Sequence, residues 1–485
     1  MNLSLLDQAV GLHGQGRLGE AEQLYAQILA GDPNVMDARH MLGVLRAQQG
    51  RNAEALALIQ PVVDANPRDA LALANLGNVL NALERFTEAL QAYDRSLARN
   101  PNYPPAHLSR ANVLQLLLRY DQALESYNRF LEFVPDHAEA WSNRGMALQN
   151  LRRLDQALES FRRAEALDPA QAQPPLNRGL CHLLMQDFSA GLPLLEWRKK
   201  LPQPMEARVY PQPLWTGGED IRGKTLFVYS EQGLGDAIQF YRYVAFALER
   251  GAKVVLSVPD SLIALLSGAV PAVELIGWGK LPTQFDFHIP LASIPLAVGM
   301  RFDTIPAIAP YLTADQARVA RWKAELGDHG FRIGIAWQGN QLVMGSEGKS
   351  FPVAALEDIA RLPGVRLIAL QKNAGAEQLD ALPPGMTVER YAFDEGPDAF
   401  LDTAAIMQNC ELVISADTAP AHLAGALGVP AWVALKYVPD WRWFLDRADS
   451  PWYQSLQLFR QAVPGDWASV FAAMEAVLIS RSRKS

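Results

Sequence analysis

Two short segments hold residues whose types and spacing suit chemistry on a phosphorylated small molecule. The first is Ile414-Ser-Ala-Asp-Thr-Ala-Pro-Ala-His422-Leu-Ala-Gly-Ala-Leu-Gly-Val-Pro430. An apolar run ends at Ser415, polar Asp417 and Thr418 follow, and a small-residue helix is expected from about Pro420. Proline in a first helical turn costs little and presets helical geometry. The open N–H groups of such a helix start make an anion site. Asp417, Thr418 and His422 would then surround a phosphate and its attached ribose, with Ala419 in the same turn. The alternative is a capping role for Asp417 or Thr418, with His422 a partly buried helix residue. The second segment is Gln232-Gly-Leu-Gly-Asp236, directly after an apolar run ending at Ser230. Gly233 and Gly235 allow a tight strand-to-helix turn and close approach of a substrate. Asp236 is either a working carboxylate or a helix-start residue favoured by the dipole. The turn lacks the third glycine of a dinucleotide fingerprint. No His/Cys/Asp cluster has metal-ligand spacing, and no Asp-x-Asp occurs; the expectation is chemistry without a metal or resident cofactor.

Such segments need strands and helices to aim them. Short apolar runs fall at Lys224–Ser230, Lys253–Val258, Val273–Ile276 and Phe285–Ile289. A second set falls at Phe331–Trp337, Val365–Leu370, Leu412–Ser415 and Ala431–Leu435. Alternation with helical stretches predicts parallel sheets covered by helices on both faces. The break between the sets, near Thr313–Gly330, predicts two doubly wound lobes facing a cleft. Ligands of such sheets bind beyond the carboxyl ends of the strands.

Before residue 200 the texture differs. Pro33, Pro67, Pro101, Pro135 and Pro169 stand 34 residues apart, and Ala21, Ala55, Ala89, Ala123 and Ala157 keep step with them. A fixed 34-residue period marks a helix-turn-helix array, normally a surface that holds another macromolecule. Gly43, Gly77, Ala111 and Gly145 share one repeat position, and Tyr25, Ile59, Tyr93, Tyr127 and Phe161 share another. This small–small–aromatic–proline pattern resembles the tetratricopeptide repeat family over residues 2–170, with a degraded sixth copy reaching about Arg198 through Gly179 and Gly191. Asn75, Asn143 and Asn177 recur at one register, followed by Arg110, Arg144 and Arg178 at the next. In O-GlcNAc transferases, which this architecture resembles, an asparagine ladder holds the acceptor polypeptide by its backbone amides. The other reading is an exposed helix face with solvated arginines beside it.

The Asp417–Pro430 segment resembles the nucleotide-sugar signature of heptosyltransferase-like glycosyltransferases, D-[ST]-x-x-x-H-L-A-x-A-L-G-x-P. The likeness extends over about residues 222–465. Asp236 matches the proposed general base of that family's acceptor-side loop. Gly348-Lys349-Ser350-Phe-Pro352 resembles its lysine-containing loop against the sugar-nucleotide phosphates, and Gly339-Asn340 fits a W-x-G-N turn of repeat-bearing relatives. Asp440-Trp-Arg-Trp443 and Asp449-Ser-Pro-Trp-Tyr453 resemble the ends of those relatives. This chain departs from them in having one lysine in Gln341–Ser350, and Lys436-Tyr437 where leucine-proline is usual. Arg442 would pair with a phosphate or with a nearby carboxylate, and Trp443 reads as an aromatic anchor.

The resemblance implies an inverting, metal-independent glycosyltransferase. Asp236 would be the base and Lys349 would stabilise the departing phosphate. Gly233, Gly235, Asn340, Ser350, Asp417, Thr418, Ala419 and His422 would meet the donor, a nucleotide-sugar co-substrate. Asn75, Asn143 and Asn177 would hold a protein acceptor. The rivals are a decayed transferase serving as an assembly scaffold, and an enzyme acting on a glycan or lipid-linked acceptor.

The expected fold class is α plus α/β. A repeat solenoid covers residues 1–200, a linker rich in proline and glycine covers 201–222, and two GT-B-like lobes cover 223–320 and 330–485. At 485 residues the chain is too long for one core. Hydrophobic content of 49% with 20% charged residues fits a folded domain protein. A formal charge of −8 weighs against nucleic acid as the main partner. Two distant cysteines, a start without signal-peptide features and no long apolar span predict a cytoplasmic setting without a transmembrane segment.

Overall fold

The computed structural model describes residues 2–202, 208–306, 310–339 and 348–482. The chain folds as two compact units, Met1–Pro174 and Pro175–Ser485. The division falls ahead of residues 175–200, which the repeat pattern joins to the solenoid.

The first unit is a run of paired helices. The leading helices are Asn2–Gly14, Met36–Gln48, Ala70–Ala82, Pro104–Leu116 and Ala138–Asn150. Their partners are Leu18–Gly31, Asn52–Ala65, Phe86–Arg99, Tyr120–Phe133 and Leu154–Leu167. Each partner helix stops two residues before a periodic proline, whose ring and missing N–H cannot continue it. The small residue of each leading helix is where the next large one packs. A Cβ on Gly77 would lie 2.5 Å from Tyr93 Cε1, and one on Gly145 would lie 2.5 Å from Phe161 Cε1. Tyr25, Ile59, Tyr93, Tyr127 and Phe161 are wholly buried, as are the five periodic alanines.

The turn within each pair needs one left-handed residue, and its register repeats too. Gly16 and Gly50 supply it at φ 75° and 76°; Glu84, Leu118 and Arg152 are forced there at 58°, 58° and 57°. Arg110 and Arg144 are not solvated neighbours of the asparagine register but ties between helix pairs. Arg110 donates to Asp94 (2.6 Å) and Ser126 (2.5 Å), and Arg144 to Asn128 (2.7 Å) and Ser160 (2.6 Å).

The second unit opens with the helices Gln173–Leu184 and Phe188–Leu195. The first sheet holds β1 (Thr225–Tyr229), β2 (Lys253–Val258), β3 (Val273–Gly277) and β4 (Phe287–Pro290), ordered β3-β2-β1-β4. The second holds β5 (Phe331–Ala336), β6 (Val365–Ala369), β7 (Leu412–Ala416), β8 (Ala431–Leu435) and β9 (Leu456–Arg460), ordered β6-β5-β7-β8-β9. Every ladder is parallel, for example Ile333↔Leu412 and Val413↔Ala431. β7 and β8 are buried at every position, as strands covered on both faces must be. The strand β9 lies outside the sequence expectation; Leu456–Arg460 is short, and only its pairing with β8 marks it.

The chain order reverses beside β1 in one sheet and beside β5 in the other. The crevices at these reversals, beyond the strand ends, are where doubly wound sheets bind ligands. They bring forward the loops after β1, β5 and β7. No helix among the described residues is long and apolar enough to cross a membrane.

Candidate functional site

Those three loops open on one cleft of about 1540 Å³ in the second unit. Gly233, Gly235, Asp236, Lys349, Ser350, Asp417, Thr418, Ala419 and His422 all line it. Asn340 lies outside the described residues.

The helix after β1, Leu234–Tyr241, packs on the helix after β7, Ala419–Ala426. Gly235 is what permits this approach: a Cβ there would come 3.0 Å from His422 Cδ2 and 3.3 Å from Ala419 Cα. Gly339 plays the same part after β5, where a Cβ would lie 2.9 Å from Thr418 Cγ2. The β5 loop is held by Gln371, which accepts from the Trp337 and Gln338 amides at 3.0 and 2.9 Å and donates to the Gln338 and Ala374 carbonyls at 2.9 Å.

Thr418 occupies the N-cap position of Ala419–Ala426, yet its side chain makes no capping bond. Its hydroxyl sits 3.4 Å from the Ala416 carbonyl and from Ser415 Oγ. Asp417 does not cap either; it accepts from the Trp443 indole at 2.6 Å. The first turn is therefore not closed by a side chain of its own, as an anion-accepting helix start requires.

Five charged groups meet at the base of the cleft. Lys349 Nζ lies 3.1 Å from Asp417 and 3.9 Å from Asp440. Arg442 donates to Asp236 at 2.6 Å, to Asp440 at 2.9 Å and to the Gln239 amide oxygen at 2.6 Å. Burial by itself would depress both cations. The carboxylates beside them more than offset it, so Lys349 and Arg442 are held above their ordinary values and stay charged. For Asp440 burial pushes upward, but Arg442 and Lys349 outweigh it and hold the carboxyl well below the usual range. For Asp236 burial wins over the pull of Arg442, so its carboxyl is raised, as suits a proton acceptor.

His422 is neutral. Burial, then the Arg442 charge, pushes its imidazole down to about 3. Its Nδ1 lies 3.1 Å from the Tyr453 hydroxyl and its ring stacks on Trp443 with centroids 5.3 Å apart. It can hydrogen-bond a ligand but brings no charge to a phosphate.

The asparagine register is not in this cleft. Asn75 Nδ2 pairs with His40 Nε2 at 2.9 Å and Asn143 Nδ2 donates to Asn112 at 3.3 Å, both within the first unit. Asn177 is buried in the second unit. Sequence reasoning did not single out Asp440, Gln239, Gln371 or Tyr453 by role. The rule that the residues after each strand carry function would have found Gln371, two residues beyond the end of β6.

Residues 6–60 and 40–104, and again 138–170, match the family described as Tetratricopeptide repeat. Protein FlbA of Caulobacter vibrioides is 27% identical over 287 residues, 54% of this chain and 48% of that protein. The chain thus spans about half the length of the curated relative it matches. Among solved structures, MamA is 22% identical with a TM-score of 0.31, over 33% of this chain and 94% of that one. YrrB, described as a TPR protein with an unusual peptide-binding site, is 22% identical with a TM-score of 0.34, over 36% of this chain and 89% of that one. The N-terminal region is an array of tetratricopeptide repeats, joined to a region of two parallel sheets.

Proposed function

We propose that the second unit is a GT-B-like glycosyltransferase, moving a sugar from a nucleotide donor to a hydroxyl of a protein acceptor recruited by the repeats. One observation supports this most: Asp236, Lys349 and the Asp417–His422 turn, from three strand ends, line one cleft and are joined through Arg442 and Asp440. In the proposed step an acceptor oxygen attacks the anomeric carbon as the bond to the phosphate oxygen breaks. The acceptor proton passes to Asp236, and the diphosphate leaves toward Lys349 and the amides near Ala419. Preorganised charge at the leaving group is the largest catalytic contribution expected of such a site. The repeats would act on substrate choice, and the setting would be cytoplasmic.

A second reading has its own support. Lys349 and Arg442 are matched by three carboxylates, Asp236, Asp417 and Asp440, so neither cation is unopposed. That balance suits a decayed transferase kept as a scaffold. Calorimetric titration with a panel of sugar nucleotides separates the two, together with intact-mass analysis of co-expressed proteins. The transferase reading expects donor binding, and a sugar mass on a partner that disappears in Asp236→Asn while donor binding persists. No donor bound by the folded protein would refute it.

A further inference from the structure

Phe400 breaks two local rules at once. It is the N-cap residue of the helix Leu401–Gln408, where Ser, Thr, Asp or Asn is preferred, and it makes no capping bond. Its φ is 67°, a left-handed backbone that a bulky side chain adopts only when its surroundings impose it.

Those surroundings are specific. Asp394, itself at φ 49°, caps the helix in its place, accepting from the Asp402 amide at 2.6 Å and from the Thr403 amide at 3.2 Å and hydroxyl at 2.5 Å. Asp402 is anchored by Trp322 Nε1 at 2.9 Å and Arg318 at 2.8 Å. The Ala399 amide, one residue before Phe400, donates to the Ser261 carbonyl beyond β2 at 2.8 Å. Both flanks of Phe400 are thus clamped, and the strain falls on the aromatic residue between them.

The strained residue faces useful space. Phe400 lines the same cleft as Thr418 and Ala419, as do Lys372, Asn373, Asp394 and Thr403. It is half-buried, and no ring among the described residues packs on it. A residue that breaks local rules while lining a cleft is a candidate functional position.

Resting on the glycosyltransferase reading, we propose that Phe400 is the face on which the planar base of the nucleotide donor stacks. A flat, sequence-tolerant aromatic surface suits any nucleobase, because each has a π-face. The anion-accepting turn at Thr418 would hold the phosphates on the same cleft.

The test is calorimetric binding of uridine, guanosine and adenosine 5′-diphosphates to the full chain, with melting temperatures, for wild type, Phe400→Gly, Phe400→Leu and Phe400→Tyr. Glycine accepts φ 67° without penalty. Phe400→Gly should therefore melt no lower than wild type while the best-bound nucleotide weakens roughly tenfold to a hundredfold. Phe400→Leu should weaken similarly and Phe400→Tyr should bind within about threefold of wild type. A Phe400→Gly protein that binds as tightly as wild type overturns the stacking role alone. So does one whose melting temperature falls along with its affinity, which marks Phe400 as structural. If wild type binds none of the three diphosphates, the donor reading itself falls and takes the platform with it.

Discussion

Replacing Arg442 by methionine probes the charged floor of the cleft directly. The guanidinium side chain is 10% exposed, bonds Asp236, Asp440 and Gln239, and lies 4.7 Å from the Trp441 ring centroid. Methionine fills similar apolar space but strands two carboxylates. Asp236 loses the charge that opposes its burial, and Asp440 keeps Lys349 at 3.9 Å. Removing one partner of a buried ion pair costs about 3–5 kcal/mol. At roughly 2 °C per kcal/mol for a unit of this size, the melting temperature should fall by about 6–10 °C near neutral pH. Fluorescence reports it, since Trp215, Trp322, Trp337, Trp432, Trp443 and Trp452 are fully buried in the second unit.

The pH dependence supplies a sign. Asp440 is depressed in the folded protein, so its contribution is complete above the unfolded value of about 4 and is lost as pH falls through the folded one. Asp236 is raised, so its burden builds as pH climbs from the unfolded value of about 4 toward its folded value and is complete above it. Without Arg442 both effects make the variant's deficit largest near neutrality, shrinking toward pH 4 as the stranded carboxyls take protons. Adding Asp236→Asn, which neutralises the carboxyl left without its cation, should recover much of the loss at pH 7. A deficit under about 1 kcal/mol, or one that widens on acidification, would refute the buried-network account.

Other expectations are independent of that one. Lys349→Ala should lower turnover at subsaturating donor by about a hundredfold or more; unaltered turnover would remove Lys349 from the site. Gly50→Ala meets no atom within 4 Å, so its loss of about 1 kcal/mol in a denaturant titration isolates backbone strain at φ 76°. Gly77→Ala has ordinary helical backbone but collides with Tyr93, and should lose about 1–3 kcal/mol from overpacking; unchanged stability would contradict the turn strain in the first variant and the repeat packing in the second. Burial pushes the Cys181 and Cys410 thiols up to about 12, so neither should react with a thiol reagent at pH 8 until denaturant is added. Fast labelling of the native protein would show that one of them is reachable.

Legibility varied with the range of the interaction. The five prolines marked the helix ends because a missing N–H acts within one turn. The eight apolar runs marked β1 to β8 to within two residues, because strands buried on both faces need continuous apolar sequence. The edge strand β9 escaped because its identity comes from its neighbour. At the cleft, glycines and a proline announced turns, whereas the partners of Arg442 left no local sign. Phe400 was invisible for the opposite reason: its local propensity argues against the place it occupies.

The residue string alone determined the repeat period, the small-to-large packing within each helix pair and the strand-ending loops, all set by short-range sterics and burial. Tertiary structure decided which charge answers which. Asp236 meets Arg442 across 206 positions of chain, and Lys349 meets Asp417 from a separate strand end. Those pairings depend on two sheets reversing their order at adjoining crevices, and Coulomb energy at 3 Å is fixed by distance in space rather than along the chain.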